Sequence, residues 1–166
     1  MNHLWQGTPI AGLIILVFVV IAMLEYTKQQ RLRKKNNLLN KLSAIAEKNG
    51  IAVSQSDIFG DHVLGYDEQR RAVFFFYAKQ NDVLIFEIEN IADCGLQKSI
   101  TGNTINTIDL YLKSPYDRPG YTLPLYSRFH DAGWQRRLIM QRAEKWKAFI
   151  EGAIIEKKLT AIRNEV

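Results

Sequence analysis

Three places in this chain carry residue types that could do chemistry: His62 beside Asp61, His130 beside Asp131, and Cys94. A histidine next to a carboxylate suggests a general base with its orienting partner, and a cysteine suggests a nucleophile. The spacing argues against all three. Neighbouring residues in a strand point to opposite faces, so Asp61–His62 is not a dyad by adjacency. His130-Asp131 falls at a strand-to-helix junction, where Asp131 reads as a helix N-cap. Cys94 is the only cysteine, which excludes an intramolecular disulfide and any C-x-x-C pair, and it reads as a small buried residue. The three histidines stand in different contexts with no H-E-x-x-H spacing. Gly60, Gly65 and Gly102 stand alone in turns and build no phosphate loop. No catalytic residue, metal ligand or cofactor site is assigned, and the chain is expected not to be an enzyme.

The stronger signal lies at the N-terminus. Residues Leu4 to Leu24 carry no formal charge, and about 20 apolar residues is the length a helix needs to cross a bilayer. Lys28, Arg31, Arg33, Lys34 and Lys35 follow directly, and no Lys or Arg precedes the run. A cleaved signal peptide has its positive charge on the other side and small residues at a cleavage site, neither of which occurs here. A surface helix would show a polar stripe, and LIILVFVVIAML has none. The run therefore reads as an uncleaved single-pass anchor, with Trp5 and Tyr26 at its two interfaces and Pro9 in its first turns. Basic residues stay on the cytoplasmic side, which puts the N-terminus outside and residues 28–166 in the cytoplasm at the inner (plasma) membrane. The same five residues are expected to contact anionic headgroups. They also account for the net charge of +5, so the remainder is nearly balanced and nucleic acid is not an expected partner.

The elements behind these residues divide the chain into an anchor (1–27), a basic juxtamembrane helical stalk (28–50) and one globular domain (51–166). In the stalk, Leu32, Leu39, Leu42, Ile45 and Ala46 recur at helical steps, and Gly50 is suited to end the helix. The stalk either continues the membrane helix or breaks at Asn36-Asn37. Its apolar face either pairs with a second copy as a coiled coil or packs on its own domain. Strand patterns follow at 58–66, 71–78, 83–88, 94–100, 105–112 and 121–127, six or seven strands with short turns. Pro124 implies an edge or a bulge in the last strand. A helix is expected from Ala132 to Ile162, with Leu138, Ile139, Ala143, Trp146, Phe149, Ile150, Ala153 and Ile154 on one stripe. Trp134 and Trp146 read as core anchors. The fold class is α+β: a bent antiparallel sheet or barrel capped by a long C-terminal helix.

That order, with GYDEQRRAVFFFY as first hairpin, IFEIENIADC as third strand and turn, IDLYL and YTLPLYS as later strands and WQRRLIMQRAEKWKAFIEGAI as capping helix, resembles a pleckstrin-homology-like domain over residues 55–155. The chain is similar to small membrane-anchored bacterial families that carry such a domain without an assigned activity. Lipid-binding members of that superfamily use alternating basic residues on the first two strands. Here Arg70 and Arg71 lie in the turn and AVFFFYA has no basic residue, so phosphoinositide recognition of that type is not implied. The expected function is a membrane-tethered, non-enzymatic interaction or scaffolding module, with a protein partner received at the strand edge Tyr121, Leu123 and Leu125 or in the groove beside it. Two other readings stand beside it. One is a structural subunit assembled through the anchor and stalk, and the other is an enzyme acting on membrane substrates.

Overall fold

The computed structural model describes residues 8–115, 119–129 and 133–164; for residues 8–15, Val17, Arg31, Trp134 and Asn164 it describes the backbone alone. The chain divides into two compact units, Met1–Asn40 and Lys41–Val166. Helix α1 spans Thr8–Asn49 without a break at Asn36-Asn37. Pro9 occupies its first turn, where a missing N–H breaks no helical bond. The helix stops at Gly50, whose φ of +61° is open to glycine at little steric cost. The N–H of Ile51 reaches the Ala46 carbonyl at 2.8 Å and that of Gly50 the Glu47 carbonyl at 3.1 Å, the paired bonds of a Schellman cap.

Seven strands follow: β1 Val53–Phe59, β2 His62–Asp67, β3 Ala72–Tyr77, β4 Asp82–Glu87, β5 Asp93–Thr101, β6 Thr104–Lys113 and β7 Tyr121–Ser127. They form two antiparallel meanders, β1-β2-β3-β4 and β5-β6-β7. The barrel alternative is thereby corrected: among the described residues the strands pair into two open sheets. The first strand is also shifted. GYDEQRRAVFFFY is the second hairpin, because the strand expected at 58–66 divides at Gly60-Asp61, and Ile58 and Phe59 join the polar VSQSD, unassigned from its pattern, in an edge strand that is mostly half-exposed.

Strand β3 explains its own unbroken apolar run, since both of its faces are buried. Val73 and Phe75 join Phe59, Leu64 and Phe86 in the main core, together with Cys94, Ile108, Leu110, Leu112, Leu123 and Leu125 of the second sheet. Ala72, Phe74 and Phe76 alternate onto the other face and are also buried. There the tip of the Phe74 ring lies against Gly65, where a Cβ would overlap it. Among the described residues, Leu42, Ile45, Ala46, Ile51 and Val63 are the other buried apolar side chains of the second unit outside the main core. Of the two alternatives for the stalk's apolar face, the end of α1 thus takes the second: its last turns belong to the domain. The exposed Leu32 and half-buried Leu39 leave the stripe, and Leu38 is buried instead, four residues before Leu42. Asp67, the only buried charged residue among those described, accepts the N–H groups of Ala52 at 2.9 Å and Arg70 at 3.0 Å, tying the segment after α1 to the β2–β3 turn.

Helix α2, Arg136–Asn164, closes the core with Ile139, Ala143, Trp146, Ile150 and Ile154. It begins later than its pattern suggested, after a short 3-10 turn at Gly133–Gln135, and Leu138 faces solvent. The fully buried Trp146 donates its indole N–H to Asp57 at 2.9 Å, and Arg142 donates to the Ile58 carbonyl at 3.2 Å, so both pin α2 to β1. Asp131, Trp5, His130 and the Trp134 side chain lie outside the described residues.

Candidate interaction surfaces

The basic cluster sits on α1. Lys28, Arg33, Lys34 and Lys35 are exposed, and the Arg31 side chain lies outside the described residues. Helical spacing puts residues 28, 31 and 35 on one face and 33 on the opposite one, so the cluster belts the helix. Before it, Leu16, Phe18, Val19, Val20, Ile21, Met23 and Leu24 are 47% to 68% exposed. Consecutive large aliphatic side chains on every side of a helix do not suit water. Among the described residues no helix is long and apolar enough to cross a membrane. The apolar run begins at Leu4, outside the described residues, and so do the side chains of residues 8–15 and Val17.

The candidate partner edge is less open than its sequence suggested. β7 does lie at a sheet edge, and Pro124 pairs with Asp109 at a register shift, so the proline occupies both an edge and a bulge. Tyr121 is 49% exposed and its ring rests 4.7 Å from that of Phe86. Leu123 and Leu125 are fully buried. Leu123 and Leu125 mark the inward face of β7, and of the three residues a partner can meet only Tyr121, beside the exposed Thr122 and the outer backbone. Pro124 also lacks the N–H that an added strand would use.

Of the groups singled out for chemistry, His130 and Asp131 lie outside the described residues, and Asp61, His62 and Cys94 occupy different elements. Gly60 and Asp61 form the β1–β2 turn and His62 opens β2, so Asp61 and His62 do not share a strand. The His62 ring lies 5.4 Å from Phe75 and 5.2 Å from Tyr77, an apolar setting, while Asp61 pairs with Lys79 at 3.4 Å. Cys94 is in the core, and burial pushes its thiol up to about 12, opposite to what a nucleophile needs. Among the described residues no group of His, Cys, Asp and Glu could hold a metal ion.

Two features escaped the sequence reading. One is a polar bracket joining the β2–β3 turn to α2. Arg71, whose φ is +51°, reaches Glu156 at 3.9 Å, and burial beside it raises the Tyr66 hydroxyl above its ordinary range. Lys157 donates to the Glu89 carbonyl at 2.6 Å, across the turn between the two sheets. No periodic signal marks this bracket. The other is a second stripe on α2: Ala148, Gly152, Ile155, Leu159 and Ile162 are all exposed, the three large ones by 57% to 61%. Its alternating steps of four and three are legible in the sequence, but the buried stripe beside it drew the assignment.

No family model matches the chain, and no curated protein or solved structure does.

Proposed function

We propose that this protein is a single-pass membrane-tethered, non-enzymatic interaction or scaffolding module whose domain acts at the cytoplasmic face. The observation that carries it is the junction on α1, where aliphatic side chains exposed on every side give way within a few residues to a belt of five basic ones. Such a junction suits a lipid–water boundary, the aliphatic residues in hydrocarbon and the belt at anionic headgroups. The finer fold belongs to the same proposal. A four-stranded and a three-stranded meander closed by a C-terminal helix agree with a pleckstrin-homology-like domain. A tether of this kind confines a modest binding surface near its partner, so weak affinity suffices.

Protease accessibility of a C-terminal tag in intact spheroplasts, and again after lysis, tests the reading. Protection until lysis is expected. Cleavage before lysis overturns the orientation, and recovery of the full chain in the soluble fraction overturns the tether. Replacing residues 4–24 with an unrelated apolar helix separates a plain tether, which survives the exchange, from an assembly helix, which does not.

A further inference from the structure

We propose that the outer face of α2 pairs with the same face of a second copy of this chain, antiparallel, about a two-fold axis near Ile155. The stripe Ala148, Gly152, Ile155, Leu159 and Ile162 follows the 4-3-4-3 spacing of a helix–helix seam over about 21 Å of helix. It is graded, with small residues at the N-terminal end and large ones at the C-terminal end. An antiparallel two-fold matches that gradient to itself: Ile155 meets Ile155, Gly152 meets Leu159, and Ala148 meets Ile162 of the second copy. A Cβ at Gly152 would touch nothing in this chain, so the space above it is open to a large partner side chain.

The flanking charges choose the orientation and the occupant. In the antiparallel pair Glu151 faces Lys158 of the second copy, twice. In a parallel pair Glu151 would face Glu156, and Lys158 would face Arg163, both repulsive. Lys147 bonds one oxygen of Glu151, Oε1, at 2.6 Å. Glu156 meets its own mate near the axis, and the Arg71 guanidinium 3.9 Å away offsets that contact. Both signs border the stripe, Glu151 and Lys158 on one side and Glu156 and Arg163 on the other, which suits a second copy of the chain better than a surface of one charge. The alternative seam on the stalk is already used, because Leu42, Ile45 and Ala46 are buried in this chain.

Oxidative cross-linking of the full chain in native membranes tests this, with the buried Cys94 as an internal control. Ile155→Cys is expected to give a disulfide-linked dimer. Ile162→Cys alone is not, whereas Ala148→Cys combined with Ile162→Cys is. In the Ile155→Cys background, Glu151→Lys or Lys158→Glu is expected to cut the dimer several-fold, and the two together to restore it. The exposed positions leave folding intact, which a thermal melt of each variant checks. Equal linkage through residues 155 and 162 alone overturns the antiparallel pair, as does failure of the double reversal to restore. Absence of any dimer, while the thiol introduced at position 155 reacts with a water-soluble maleimide, overturns the pairing. So does an introduced thiol closed to that reagent until lipid is removed, which would make the bilayer the occupant.

Discussion

Helix α2 carries two apolar stripes side by side, and they have opposite fates. Ile154 is 4% exposed and Ile155 is 57% exposed, although they are the same residue one position apart. The inner stripe meets Phe59, Leu64 and the inner faces of both sheets. The outer stripe is exposed along its length among the described residues. Apolar periodicity therefore states which faces of a helix favour burial, but the covering surface has to be found in the structure. Where one chain supplies cover for only one stripe, the other marks a contact beyond it.

The contrast can be broken most severely from the inside. Trp146→Ala empties the middle of the inner stripe and strands the Asp57 carboxylate, and it is expected to cost about 3–5 kcal/mol, read from denaturant unfolding. Next comes Gly65→Ala, which drives a methyl into the Phe74 ring on the other covered layer and is expected to cost about 1–3 kcal/mol. A melting temperature unchanged by Gly65→Ala would mean that Phe74 does not lie where it is described. On the outer stripe the sign reverses: in protein dilute enough to be monomeric, Gly152→Ala places a better helix former in open space and is expected to add about 1 kcal/mol. Leu159→Lys is expected to stay within about 0.5 kcal/mol of the parent in the same measurement. A large loss that persists in the monomeric sample would show that the stripe has a partner within the chain.

Cys94 sharpens the comparison with pH. Its thiol is raised to about 12 by burial, so the folded state holds the proton that the unfolded chain releases at about 8.5. The stability linked to this group is whole below about 8.5 and is lost as pH rises toward that folded value. Labelling by a thiol reagent at neutral pH is expected only at the rate of unfolding, and rapid labelling of the native protein would contradict the burial.

The sequence was most legible where one residue type has one conformational use. Gly50 at the end of α1, Pro124 at an edge and bulge, and Trp146 at the centre of the inner stripe all stand where their chemistry indicated. It was least legible at VSQSD, because an edge strand has only one neighbour and can remain polar. The edge Tyr121, Leu123 and Leu125 failed for a related reason. Alternation separates two faces but does not label the inner one, and buried leucines were read as accessible. Among the candidate site features, the basic belt was plain from composition, whereas the Arg71–Glu156 bracket depends on residues far apart in the chain meeting in space.

Trp146 also sets an order of events during synthesis. Both sheets are meanders of neighbouring hairpins, so they can pair as they leave the ribosome. Their shared interior nevertheless stays open to water until α2 arrives, because Ile139, Ala143, Trp146, Ile150 and Ile154 close it. A chain stopped short of α2 would display fully apolar strands with no lid. Helix α2 thus acts as a lid, and copies that lack it would present apolar surface to the proteases that clear unfolded chains.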